Sequence, residues 1–159
     1  MELYDWLLAL HVLSAFSWIA ALVIYTVVIA AGWRLAVPSD VVRMFRVSRV
    51  GDALIAVGMT GTIVFGIWLA LDVDAYKIWD GWIIAALILW LVAAAVGGQV
   101  GKVYNGARDR AKALIDEGRD VPSPELTAML RSQRGLVLNA LMILVVLIIL
   151  VVMIYKPGA

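Results

Sequence analysis

The chain has no cysteine, one histidine, and few charges: Asp, Glu, Lys and Arg make up 16% of its 159 residues, against about 25% in an ordinary soluble domain. The missing cysteine excludes disulfides, iron–sulfur clusters and thiolate metal sites. The scarcity of charge is not uniform. Four blocks, from about Trp6 to Ala31, Ala53 to Leu71, Trp82 to Val100 and Leu136 to Tyr155, contain no Asp, Glu, Lys or Arg. Each is close to the roughly 20 residues that cross a bilayer. Motifs are absent too: no P-loop, nucleophile elbow, zinc pattern or pair of intramembrane carboxylates occurs. Broken spans and internal repeats, common in transporters, are also missing.

What is present is a strongly apolar chain, 64% hydrophobic. The expected fold is all-α: a polytopic membrane protein forming one four-transmembrane-helix domain over residues 1–159. The helices are expected at about 5–32, 51–72, 80–117 and 123–155. The leader "MELYDW" is acidic and the first apolar block is long, so the first span is expected to stay in the mature protein rather than act as a signal peptide.

Charge placement gives the topology. The connections 32–51 and 101–135 hold eleven of the 13 basic residues, and Lys77 and Lys156 are the other two. The positive-inside rule then places both basic connections in the cytoplasm. An up-down-up-down bundle follows, with both termini and the loop 72–81 outside. Tyr4, Trp6, Trp68, Tyr76, Trp79, Trp82 and Tyr155 cluster where the outer interface would lie, and Trp33 marks the inner one. Trp18 and Trp90 fit neither belt.

The cytoplasmic connections have their own patterns. "VPSDVVRMFRVSRVG" reads as a short helix capped by Ser39 and lying against anionic headgroups. "GKVYNGARDRAKALIDEG" carries an apolar face that ends at Gly118. Ser123 caps a second helix with Pro124 at its first position, running on into the fourth span. The third and fourth helices should therefore extend together as a cytoplasmic helical hairpin.

On the first span His11, Ser14, Trp18 and Tyr25 share one face, which should point into the bundle because hydrocarbon satisfies no polar group. Gly58, Thr62 and Gly66 on the second span, and Ala93, Gly97 and Gly101 on the third, have the small-residue spacing that lets helices approach closely. Asp52, Gln99 and Asn139, near the inner ends, read as interhelical polar contacts. Arg49 is spaced to pair with Asp52, and the amides of Gln99 and Asn139, on antiparallel helices, are expected to meet at similar depth. His11 is the one strong cofactor-competent side chain in the membrane, with Met59, Met142 and Met153 as softer groups. As a haem or metal ligand it would be alone, whereas a membrane b-type cytochrome usually offers two histidines.

"LHVLSAFSWIA", the Arg-rich first connection, "GIWLAL", "WDGWIIAALILW" and "MIYKPG" resemble, in order and spacing, the bacterial membrane family catalogued as domain of unknown function 2269. The resemblance covers nearly the whole chain and implies an integral membrane protein without assigning an activity. More distantly, the seven-residue step from His11 to Trp18 resembles the first span of HemJ-type protoporphyrinogen oxidases and CopD-like copper proteins. That likeness implies haem b on His11, with Ser14, Trp18 and Tyr25 around it. The third span departs from the HemJ pattern, having no lysine.

Two readings stay open. One is a non-catalytic helical partner or accessory subunit of a membrane assembly, with the bilayer and either a membrane protein or a second copy as its contacts. The other is a haem- or porphyrin-binding redox protein using His11. Nucleic acid is not an expected partner, because topology accounts for the basic residues.

Overall fold

The structure is a computed structural model, and it describes residues 2–72 and 77–157. Tyr76 and the middle of the loop 72–81 lie outside the described residues. Every regular element among the described residues is a helix: α1 Leu3–Gly32, α2 Pro38–Asp72, α3 Gly81–Asp116, α4 Pro124–Leu130 and α5 Gln133–Tyr155. Four stretches, α1, α2, α3 and α4–α5 together, are long and apolar enough to cross a membrane. A helix satisfies its own backbone, so it is the form such runs take in hydrocarbon. The large apolar side chains Leu13, Phe16, Val23 and Val27 of α1 point away from the other helices, as lipid contact requires.

α1 and α2 form one hairpin. Between them, Tyr25 donates to Asp52, Ser17 Oγ to Leu54 O at 3.1 Å, and His11 Nδ1 lies 3.1 Å from Thr62 O. Numbers rise on one helix as they fall on the other, so the two run antiparallel. The glycine positions make the closeness possible. A Cβ on Gly58 would lie 2.5 Å from Trp18 N and 2.8 Å from its Cα, and one on Gly66 would lie 2.9 Å from His11 Cε1.

α3 and α5 form the second hairpin. Gly135 faces the Tyr104 ring, whose hydroxyl would sit 2.5 Å from a Cβ there, and Gly97 faces Met142. The hairpins meet through Trp18, Leu22, Ala93, Met142, Val145 and Val146, which pack as one cluster.

Three features differ from the sequence reading. The Arg-rich segment is not a separate surface helix. α2 is continuous over 35 residues, about 52 Å, and Val41 and Phe45 are buried in its first turns. They join a core with Val28, Ile29, Tyr104, Ala107, Leu126 and Leu130. That core holds the segment against α1, α3 and α4 and leaves Arg43, Arg46 and Arg49 exposed on the other face. Pro38 rather than Ser39 begins the helix; Ser39 N–H donates to Asp120 Oδ1 at 2.9 Å. The helix from Ser123 does not run unbroken into the last span. Ser132 accepts from Gly135 N at 3.2 Å and starts α5 afresh, while Arg131 Nε reaches Trp33 O at 3.0 Å.

The turn after α3 is closed as the glycine implied. Gly118 has φ +73°, Arg119 N donates to Leu114 O at 2.8 Å and Gly118 N to Ile115 O at 2.9 Å. Ser123 accepts from Leu126 N at 3.3 Å, and Ser123 N donates to Ala36 O at 3.0 Å, tying this turn to the α1–α2 connection. Arg110 donates from Nε and Nη2 to the two carboxylate oxygens of Glu125, at 3.0 and 2.9 Å.

Gly58→Ala should force α1 and α2 apart and cost about 1–3 kcal/mol, the range for an overpacked contact. Gly98→Ala, with nothing within 4 Å of its new Cβ, is the control. Unfolding in detergent should separate the two variants; equal midpoints would contradict the close α1–α2 approach.

Candidate ligand cavity

At the end of the bundle that carries Leu3 and Tyr155, the two hairpins do not fill the space between them. A cavity of about 450 Å³ remains. Its walls are the first half of α1, the last third of α2, the first turns of α3 and the end of α5, with Lys156 beside them. The lining is almost wholly apolar, in the manner of small-molecule sites that bury an apolar body against a few placed polar groups.

His11 is one of those groups. A backbone carbonyl can only accept, so the 3.1 Å contact with Thr62 O makes Nδ1 the protonated nitrogen. In the neutral ring Nε2 is then a bare acceptor, and among the described residues nothing hydrogen-bonds to it. The ring is seated over Gly66, where no side chain competes for its place. Thr62 completes the local network by donating its own hydroxyl to Gly58 O at 2.6 Å.

Three tryptophans share the cavity. Trp18 is 2% exposed, and its Nε1–H is buried without an acceptor among the described residues. Trp90 spans the gap between the hairpins and donates to Met59 O at 3.3 Å. Trp82 stands at the open end with the Lys156 ammonium 5.5 Å from its ring centroid, a cation–π contact.

The four residues expected around a cofactor divide. His11 and Trp18 line the cavity together. Ser14 returns its hydroxyl to Leu10 O at 2.7 Å and is spent within its own helix. Tyr25 lies fourteen residues beyond His11 and donates to Asp52, far along the hairpin from the cavity.

Of the small-residue positions, Gly58, Thr62 and Gly66 face α1, Ala93 is fully buried, and Gly97 meets Met142. A Cβ on Gly101 would meet only Asn105 of its own helix, so no neighbouring helix presses there. The polar residues near the other end each bridge helices, with partners different from those expected. Asp52 takes Tyr25 rather than Arg49. Asn139 donates to Thr26 Oγ1 at 3.2 Å, and Gln99 accepts from Arg134 at 3.4 Å, so the two amides do not meet. Asn139 is turned toward α1 and buried, whereas Gln99 stays at the rim of α3.

Sequence reasoning missed Trp82, Trp90 and the end of α5 as cavity walls. Trp90 carried a signal, since an indole at mid-span needs an acceptor that only another helix can offer. Among the described residues no three of His, Cys, Asp and Glu are placed to hold a metal ion.

A family model described as a predicted integral membrane protein, DUF2269, matches residues 5–157. No curated protein and no solved structure matches the chain.

Proposed function

The chain belongs to the DUF2269 family of predicted integral membrane proteins, and from that premise we propose that it is a non-catalytic, ligand-holding partner protein of the bacterial inner membrane. The single observation that carries this reading is the apolar cavity with His11 presented to it through a fixed tautomer. In a chain with this composition, the placed acceptor is the feature that packing alone does not call for. Among the described residues the cavity wall carries no carboxylate and no metal-ligand cluster, which supports holding a ligand, as an accessory subunit does.

A second reading is favoured by one specific contact. A histidine whose Nδ1–H is tied to a backbone carbonyl offers Nε2 to a metal in the way ligating histidines usually do. Met153 also lines the cavity, from α5, and thioether sulfur is a known axial ligand. His11 and Met153 would hold a haem b, with Trp18 and Trp90 as wall and Lys156 as a cation suited to its carboxylates. Bound there, the haem would supply one-electron redox chemistry.

The up-down-up-down arrangement, with both termini outside and the 102–134 hairpin in the cytoplasm, is part of the same proposal. Its support is the placement of Arg34, Arg43, Arg46, Arg49, Lys102 and the hairpin cations near one end of the bundle. The cavity then lies in the outer leaflet half.

Two measurements test these statements. With cysteines introduced at Lys77 and Val121, impermeant reagents should label the first from outside intact cells and the second only after permeabilisation; labelling of both from one side would contradict the topology. For the haem reading, protein made in haem-replete cells should show a Soret band that His11→Ala abolishes and Asn139→Ala leaves intact. Colour surviving His11→Ala would remove His11 as the ligand.

A further inference from the structure

The cavity reading says that something apolar is held, and two polar groups narrow its chemistry. His11 Nε2 is an acceptor, because Nδ1–H is committed to Thr62 O. Trp18 Nε1–H is a donor only, buried and without an acceptor among the described residues. A buried donor left unpaired is costly, so the orphan indole is as informative as the histidine. Both residues line the same cavity. They lie seven positions apart on α1, about 10 Å along its axis, and side chains on one helix lean in the same direction. Trp90 is already committed to Met59 O and serves as wall.

Resting on the cavity reading, we infer that the ligand is an apolar molecule with an aromatic ring bearing an oxygen at each end, of the hydroquinone class. One hydroxyl donates to His11 Nε2, and the opposite oxygen accepts from Trp18 Nε1–H. One six-membered ring with a hydrogen bond at each end has about the reach of the two-turn separation. The aromatic walls suit a flat ring, and the apolar remainder of the cavity suits a hydrocarbon tail. An acyl chain leaves both polar groups unpaired. A quinone, whose two oxygens only accept, meets a lone pair at His11 and is bound less tightly than its reduced form.

The experiment uses the full chain in phosphatidylcholine nanodiscs, purified colourless, with tryptophan fluorescence as readout. The probes are a decyl-substituted hydroquinone and its dimethyl ether, which keeps the ring, the tail and both acceptor oxygens but has no hydroxyl donor. The natural protein should bind the hydroquinone roughly tenfold more tightly, the scale of one buried hydrogen bond. His11→Leu should bring the two probes together, and His11→Gln, which keeps an acceptor, should restore part of the preference. Equal affinity of the two probes for the natural protein would overturn the hydroquinone assignment while leaving the cavity reading in place. Failure of both probes to bind would overturn both. A preparation that always carries a Soret band removable by His11→Ala would overturn the hydroquinone assignment in favour of haem.

Discussion

The backbone of Trp18 lies against the bare Cα of Gly58, and no side chain fits between them. Much else follows from that closeness. It brings α1 near enough for His11 to reach a carbonyl of α2 and for Ser17 to reach another. It sets Trp18 at the floor of the cavity, where the second hairpin packs onto it through Ala93, Met142 and Val146. Without solvent, these polar contacts have no substitute, so a helix displaced by one side-chain thickness would orphan several groups at once.

The division into two hairpins explains why an apolar cavity opens between them toward Leu3 and Tyr155. Toward the extension, the start of α2, the end of α3 and α4 share an apolar core with the last turns of α1, and the bundle is filled. Toward Leu3 and Tyr155 nothing plays that part. There the hairpins are held by Trp18, Trp90 and the small cluster of Ala70, Trp82 and Ile83, with the cavity between. The function proposed for the protein resides in this difference between its ends.

Much of this was legible in the sequence, for physical reasons that also show where legibility stopped. Four uncharged runs of bilayer length announce four spans, because no other arrangement satisfies their backbones. Gly118, Ser123 and Pro124 announce a helix stop and a helix start through local chemistry that needs no tertiary partner. The face carrying His11 and Trp18 follows from helical period alone. What the sequence hid were contacts between elements distant in the chain. Val41 and Phe45 are too few to be told from a surface helix until Leu126 and Leu130 are seen against them. Asp52, Gln99 and Asn139 were recognisable as polar groups in need of partners, but Tyr25, Arg134 and Thr26 became those partners only through rotation of the helices. At the break before α5, Arg131 meets the carbonyl of Trp33, a contact between segments far apart in the chain.

His11 concentrates the account, and being the sole histidine it can be observed without interference. Protein grown with ring-labelled ¹⁵N histidine and held in nanodiscs gives one pair of imidazole nitrogen signals. The ring should be neutral, with the proton on Nδ1 bound to the Thr62 carbonyl and a bare Nε2. In Gly58→Leu, where α1 cannot seat on α2, that signature should disappear. A proton on Nε2, or on both nitrogens, in the natural protein would contradict it.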